Sequence, residues 1–150
     1  MSVRLSTEEA WAVLDLAHTG ILTTLRADGM PITLPVWFVV LDGTIALAAP
    51  SKTKKVARVG HDPRASFLVE SGERWAELCA VHLTGRIEVV EAEATMAAID
   101  AALEEKYAAF RTSRDAMPAP TRAHYAGRTF LRLWPDGRVL SWDNARLELA

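Results

Sequence analysis

The spacing of apolar positions changes several times along the chain, and each change marks a predicted element. Residues 6–9 are Ser-Thr-Glu-Glu, a hydroxyl followed by carboxylates, which is typical of a helix start. Trp11, Leu14 and His18 then recur at helical spacing, and Gly20 supplies the stop. The pattern predicts a first helix, with His18 near its end as a group that satisfies the helix dipole.

After Gly20 the period shortens to two, and two Asp-Gly turns separate three apolar runs at residues 21–26, 30–41 and 44–49. Such turns join antiparallel strands, so we predict a three-stranded meander. The middle run is apolar on both faces, which a barrel core on one side and a partner subunit on the other would satisfy. Pro35 lacks an amide donor, so pairing should be interrupted there by an edge, a bulge or a ligand.

The remaining pattern predicts four further strands, at residues 64–70, 77–91, 128–134 and 138–142. Gly85, in the middle of the longest of these strands, indicates a bend of the kind that small barrels need. An alanine-rich helix at residues 93–110 and a helical turn at residues 121–126 complete the prediction. We expect antiparallel strands with peripheral helices, in a single domain that spans residues 1–150.

The amino-acid composition excludes several classes of function. Half of the 150 residues are hydrophobic and 24% are charged, and the net charge of −2 gives no reason to expect a nucleic-acid partner. Cys79 is the only cysteine, which excludes an internal disulfide, and the four histidines have no spacing that specifies a metal. The longest apolar run is too short for a membrane span, and residues 1–5 lack signal-peptide character, so we expect a cytoplasmic protein without a membrane partner.

One stretch, residues 50–58, differs from its surroundings because it holds three lysines and an arginine with no carboxylate. Ser51 is placed to cap a short helix there with its side-chain oxygen. Free amides, the positive helix end and lysine side chains would then converge on one point, as an anion site requires. We interpret the stretch as a phosphate site centred on Lys55, with a solvated basic helix face as the alternative.

Seven short motifs are spread over nearly the whole chain: Gly20-Ile21-Leu22-Thr23-Thr24-Leu25, Asp28-Gly29-Met30-Pro31, Pro35-Val36-Trp37-Phe38, Ser51-Lys52-Thr53-Lys54-Lys55-Val56, Asp62-Pro63-Arg64-Ala65, Gly85-Arg86-Ile87 and Ser141-Trp142-Asp143-Asn144. Together, in this order and spacing, they resemble the pyridoxamine 5'-phosphate oxidase-like proteins, a superfamily also called the flavin/deazaflavin oxidoreductases or split β-barrels. The resemblance implies an α+β split β-barrel that forms a homodimer, with two cofactor sites at the subunit interface.

The resemblance also implies which residues contact the cofactor. In this family a lysine on the helix after the third strand holds the cofactor phosphate, and Lys55 occupies that position. Further implied contacts, to the phosphate or to the ring system, come from Ser51, Thr53, Lys54, Thr33, Pro35, Val36, Trp37, Trp75 and Trp142. Trp142 would act across the interface, and a buried core position is the competing explanation for Trp75 and Trp142. Arg58 stands where many relatives have asparagine, and it would pair with the phosphate or with an acidic neighbour.

A flavin-type cofactor implies an oxidoreductase that moves hydride to or from a small conjugated organic molecule. We favour the deazaflavin coenzyme F-420, with FMN as the alternative, because a polyglutamate tail would use additional basic residues. Those available are Lys52, Lys54, Arg58 and Arg64. Tyr125, His124 and His82 are candidate proton donors, and nothing in the sequence selects among them, so no catalytic residue is assigned.

A second functional class is compatible with the same resemblance. A non-catalytic flavin or haem carrier, or a sensor, would use the scaffold without turnover, since a fold does not determine a function. Oxidation of pyridoxamine phosphate itself is disfavoured, because the residues that bind its substrate phosphate in the enzyme have no match in this chain.

Overall fold

A curled antiparallel sheet of eight strands is the frame of the protein, in a computed structural model that describes residues 2–147. The strands are β1 (Gly20–Leu25), β2 (Pro31–Val36), β3 (Val39–Leu41), β4 (Thr44–Pro50), β5 (Arg64–Ser71), β6 (Cys79–Val89), β7 (Arg128–Pro135) and β8 (Leu140–Asp143). The helices are α1 (Thr7–Leu16), α2 (Lys54–His61), α3 (Glu93–Tyr107) and α4 (Ala119–His124). The expected α+β split barrel is confirmed, while residue 1 and residues 148–150, the ends of the predicted domain, lie outside the described residues.

Helix α1 begins as the sequence predicts and ends earlier. The Ser6 hydroxyl accepts a hydrogen bond from the Glu9 amide at 3.2 Å, and the Ser6 amide donates to the Glu9 carboxylate at 2.7 Å, which completes a capping box. The helix stops at Leu16, so His18 lies beyond its last turn and the prediction that His18 caps the helix dipole is wrong. Its ring instead packs edge-on against Trp37 and Tyr107.

The predicted single strand at residues 30–41 is wrong, because the chain breaks there into β2 and β3. The strand order is β2-β1-β5-β6-β7-β4-β3, so the two halves lie at opposite ends of the sheet and the expected meander does not form. Trp37 and Phe38 carry the chain across the seam between these two ends. Of the three alternatives for Pro35, the edge is the one found, since within the described residues β2 pairs with β1 alone, although that pairing continues through Pro35 to Val36.

Tyr107, the last residue of α3, holds this seam together. Its hydroxyl accepts a hydrogen bond from the Phe38 amide at 2.9 Å. The same oxygen lies 2.8 Å from the carbonyl oxygens of His18 and Phe38 and donates to one of them. Burial raises the pKa of Tyr107, so the phenol keeps its proton as a donor. The Phe38 amide, which lies between β2 and β3, is thereby satisfied inside the protein.

Strand β6 pairs with two strands, β8 and β7, along one of its edges. Its first residues, Cys79 to His82, pair with β8, and its last, Gly85 to Val89, pair with β7. A side chain at Gly85 would place a Cβ 2.2 Å from the carbonyl oxygen of Trp134, so only glycine allows the two strands to approach this closely. Gly85 is therefore required for the close approach of β6 and β7, while the predicted bend stays a prediction. Strand β8 pairs with β6 instead of with its neighbour in sequence.

Two hydrophobic clusters lie on opposite sides of the sheet. The barrel interior is filled by side chains from α1 and most strands, among them Leu14, Phe38, Ile45, Phe67, Leu83, Ile87, Leu131 and Leu133. Outside the barrel, Ile99, Leu103 and Tyr107 of α3 pack over β3 and β4. Helix α3 is thus a core element, as its apolar spacing predicts. Between residues 2 and 147 no helix is long and apolar enough to cross a membrane.

Replacing Tyr107 by phenylalanine tests the role of the seam. The change keeps the ring and leaves the buried Phe38 amide without its acceptor, so we expect a loss of about 1–3 kcal/mol in the free energy of unfolding in urea. The matched control is Tyr125→Phe, which removes the hydroxyl of an exposed tyrosine. Equal losses in the two variants would show that the Tyr107 hydroxyl contributes nothing specific to stability.

Candidate functional site

The turn between β4 and α2 is built differently from the sequence prediction. Helix α2 begins at Lys54 with Thr53 as its N-terminal cap residue, so the prediction that Ser51 caps this helix is wrong. The Ser51 amide donates to the carbonyl of Gly127 at 3.0 Å, and its hydroxyl accepts from Thr129 at 2.9 Å. Ser51 is therefore held by Gly127, just before β7, and by Thr129 in β7, and it anchors the turn three residues before the helix.

Thr53 occupies the cap position without making the usual cap hydrogen bond. Its hydroxyl oxygen is buried and has no hydrogen-bond partner among the described residues. The amides of Lys54, Lys55 and Val56, in the first helical turn, have no acceptor within the helix. An unsatisfied hydroxyl thus lies at a helix start whose amides are free, and these are the groups that bind an anion.

Positive charge accumulates on the same helix. Lys55 is half-buried, and burial, together with the neighbouring Arg58 charge, lowers the pKa of its ammonium group. The Arg58 guanidinium donates through Nε to the buried hydroxyl of Thr24 on β1 at 2.9 Å. Among residues 2–147, neither Lys55 nor Arg58 forms an ion pair with a carboxylate. The acidic neighbour proposed for Arg58 is absent from this region, which leaves two adjacent cations uncompensated.

The predicted ring-contact residues lie along the edge strand β2 and just beyond it. Thr33 and Thr23 join β2 to β1 through hydroxyls 2.9 Å apart, one residue from the Thr24 that holds Arg58. Pro35 is exposed at the edge. The Val36 side chain is buried in the barrel core, so any contact with a ligand would have to come from its backbone. The segment therefore leads from the α2 end of the sheet towards Trp37.

Trp75 and Trp142 lie at the other end of the barrel. Trp75 is 61% exposed and Trp142 is 40% exposed, so the alternative that they are buried core residues is wrong. Asn144 ties the two regions together by donating to the Trp75 carbonyl at 2.7 Å. Strand β5 runs from α2 to this region over eight residues, a span of roughly 24 Å. Within one chain these indoles are too distant from Lys55 to share a small contact site with it.

The candidate proton donors also lie in different parts of the barrel. His124 and Tyr125 lie at the end of α4, with ring centroids 5.0 Å apart, two residues before the Gly127 that holds Ser51. His82 projects from the middle of β6 and is paired between Leu68 and Leu140 on the adjacent strands. His124 and Tyr125 therefore belong to the α2 end of the barrel, and His82 does not.

Sequence reasoning misses the residues that support the site from a distance. Thr24 positions Arg58 from 34 residues away, and Tyr107 supports Trp37 from 70 residues away, with the two rings stacked at 4.4 Å. Gly127, just before β7, and Thr129, in β7, hold Ser51. Their residue types carry no local signal for these roles, because each contact depends on the closed barrel.

The curled sheet, with the basic helix α2 at its end, defines the class: a split-barrel protein. Residues 6–136 match the family model described as pyridoxamine 5'-phosphate oxidase. The chain belongs to this family, which confirms the resemblance seen in the motifs. None of the curated proteins matches the sequence.

Solved structures share the fold. A conserved hypothetical protein from Mycobacterium tuberculosis is 29% identical, with a TM-score of 0.83 over 99% of this chain and 91% of that one. A haem-binding protein from Mycobacterium smegmatis is 25% identical, with a TM-score of 0.70 over 95% of this chain and 60% of that one. An FAD-binding protein from Mesorhizobium loti is 20% identical, with a TM-score of 0.70 over 91% of this chain and 93% of that one, and it shows the fold alone.

Substituting Thr53 by valine tests whether its hydroxyl is reserved for a ligand. Valine has the same shape without the unsatisfied oxygen, so the ligand-free protein should gain about 1 kcal/mol in the free energy of unfolding. Thr129→Val is the control, since it removes a hydroxyl that donates to Ser51 and should not stabilise the protein. Destabilisation by both variants would mean that the Thr53 hydroxyl already has a partner within the protein.

Proposed function

We propose that the protein binds a phosphate-bearing flavin-type cofactor, with the phosphate at the start of α2. The observation that carries this proposal is the buried, unpartnered hydroxyl of Thr53 beside the uncompensated charges of Lys55 and Arg58. A phosphate group satisfies all three, because it accepts hydrogen bonds and neutralises the cations. Ser51 and Lys54 would border the same pocket, Ser51 as the anchor of the turn and Lys54 as an exposed cation.

The cofactor ring would lie along β2, between Thr33 and Trp37. This placement follows from the short path between α2 and Thr33 through Thr24, and from the free edge that β2 presents. Pro35 offers an exposed apolar surface there, and Val36 offers its backbone. When bound, the cofactor would supply hydride transfer, and the protein would hold and orient it against a small conjugated substrate.

We favour F-420 over FMN because basic residues outside the phosphate pocket could bind its polyglutamate tail. Lys52 and Lys54 are exposed and make no ion pair within the described residues, so they remain available to a tail that carries carboxylates. Arg64 is less available than the sequence suggests, since Asp62 pairs with it at 2.7 Å. FMN, which needs the phosphate pocket alone, is the alternative.

We propose that two copies of this chain form the functional unit. Met30 and Leu34 leave apolar surface exposed along the edge strand β2. A second copy on this side would bury that surface and would bring its own Trp142 or Trp75 towards the ring, which the distance within one chain prevents. Residues 1–150 would then act as one cofactor-binding domain in each copy.

The proposed activity is that of an oxidoreductase, and a non-catalytic cofactor-binding or sensor protein is the second candidate. The second candidate is favoured by a specific similarity: one of the related structures is a haem-binding protein. The two functions differ in whether the reduced cofactor is reoxidised by an organic acceptor. A protein that binds a cofactor and never returns its electrons would be a carrier or a sensor.

A binding screen with FMN and F-420, followed by fluorescence, tests the cofactor proposal. Lys55→Ala should weaken binding of the preferred cofactor by about 1.5–3 kcal/mol, because it removes a charge-assisted contact to phosphate. Lys52→Ala is the control: it should leave FMN binding unchanged and should weaken F-420 binding, whose tail it would contact. Failure of both cofactors to bind at micromolar concentrations would exclude the proposal.

The pH dependence of cofactor affinity is a second test of the role of Lys55. Burial already lowers the pKa of Lys55 in the free protein, and phosphate binding favours its charged form. Cofactor affinity should therefore fall as the pH rises above this lowered pKa, and the fall should disappear in Lys55→Ala. An identical pH profile in the variant would assign the dependence to another group.

Leu34→Lys tests the assembly proposal. Leu34 is 41% exposed on β2, so a lysine there should be tolerated by the monomer and should prevent an apolar contact with a second copy. We expect light scattering to give a dimer for the unmodified protein and a monomer for this variant, with weaker cofactor binding. Leu16→Lys, at an exposed position of α1, should remain dimeric. A monomeric unmodified protein would contradict the proposed shared site.

A further inference from the structure

A cluster of aromatic side chains lies on the surface next to the seam. His18, Trp37 and Phe110 surround the buried ring of Tyr107, and we call these three residues the aromatic shelf. The His18 ring lies edge-on to Phe110, Tyr107 and Trp37, with centroids 4.5, 5.3 and 5.8 Å away. Residues from three separate parts of the chain thus meet in one surface.

The aromatic shelf exposes large apolar rings to water, which is energetically unfavourable. Phe110 is 60% exposed and Trp37 is 38% exposed, while Tyr107 beneath them is fully buried. Because Tyr107 covers one face of the Trp37 indole, the exposed part of that indole is its other face and its edges. Clustered exposed aromatic rings of this kind mark a binding surface.

The aromatic shelf is also rigid. The Trp37 and Tyr107 rings are nearly parallel, with centroids 4.4 Å apart and an angle of 3° between their planes. The Tyr107 hydroxyl is hydrogen-bonded to the Phe38 backbone and lies within 2.8 Å of the His18 carbonyl. Trp37 is therefore held by stacking on a buried ring, and the His18 carbonyl lies against the hydroxyl of the same residue, so a ligand that stacks there meets a surface already in place.

The position of the aromatic shelf connects it to the proposed cofactor segment. Trp37 directly follows β2, so the shelf begins where the proposed ring segment ends, at the side away from Lys55. His18 and Phe110 extend the surface beyond Trp37 and are too far along it to contact the phosphate end. A second flat molecule on this surface would lie beside the cofactor ring.

We propose that the aromatic shelf binds the substrate, a planar conjugated molecule that stacks on Trp37 and contacts the ring of Phe110. This inference rests on the proposed function and adds to it the surface that selects flat substrates. Aromatic side chains favour such ligands because stacked and edge-on ring pairs gain more than their buried area alone. Phe110 and His18 are then specificity-determining residues that do not contact the cofactor phosphate.

The test measures binding of menadione, a planar naphthoquinone, to the cofactor-loaded protein by equilibrium titration. Phe110→Ala should weaken menadione binding about threefold to tenfold, as expected for loss of one aromatic contact, and should leave the cofactor dissociation constant unchanged. Phe110→Tyr keeps the ring and should retain the unmodified affinity. Trp134→Ala, which removes an exposed indole that lines a different surface, is the matched control and should change neither affinity.

The outcomes separate this inference from the proposed function. Menadione affinity that is equal in Phe110→Ala and the unmodified protein would overturn the aromatic shelf as a substrate surface, even if the cofactor binds. Loss of dimer formation in Phe110→Ala, with menadione affinity retained, would also overturn it and identify the surface as a contact between copies. Menadione binding that depends on Phe110 in a protein that binds neither FMN nor F-420 would support the shelf and exclude the proposed cofactor.

Discussion

The hydroxyl of Tyr107 holds the seam at which the sheet closes into a barrel. The chain passes from one end of the strand order to the other through Trp37 and Phe38, and the Phe38 amide and carbonyl leave the ladder inside the protein. Such groups are costly when unpaired, and the Tyr107 oxygen is the acceptor that the amide needs. The same oxygen lies beside the His18 carbonyl, so the end of α3, the segment after α1 and the seam are held at one point.

At the start of α2, by contrast with the Phe38 amide, the buried hydroxyl remains unsatisfied. Thr53 keeps a buried hydroxyl without a partner, and Lys55 keeps a half-buried charge beside Arg58. Each of these features destabilises the protein alone, and a bound phosphate removes all of them at once. The Lys106 ammonium group, over the Phe38 ring at the seam, is also buried without a hydrogen-bond partner among the described residues. What distinguishes the start of α2 is that an unsatisfied hydroxyl, free amides and two cations occur together there.

Local chemistry explains which parts of the structure the sequence predicts. The capping box at Ser6, the Asp-Gly turns, the edge position of Pro35 and the basic turn before α2 depend on neighbouring residues, and the structure contains them all. The break at Trp37 and Phe38 could not be predicted, because an apolar run gives no sign that its halves pair with different strands. The support of Arg58 by Thr24 and of Phe38 by Tyr107 joins residues 34 and 69 positions apart, so it depends on the closed fold.

The strands at the two ends of the sheet, β2 and β3, limit how copies of this protein can associate. Pro31 and Pro35 remove two donors from β2, and β3 has only three residues. A neighbouring chain therefore finds no continuous row of amides to which it can add a strand at either end. Growth into fibrils by strand addition is blocked at both places, and association is left to side chains that meet face to face.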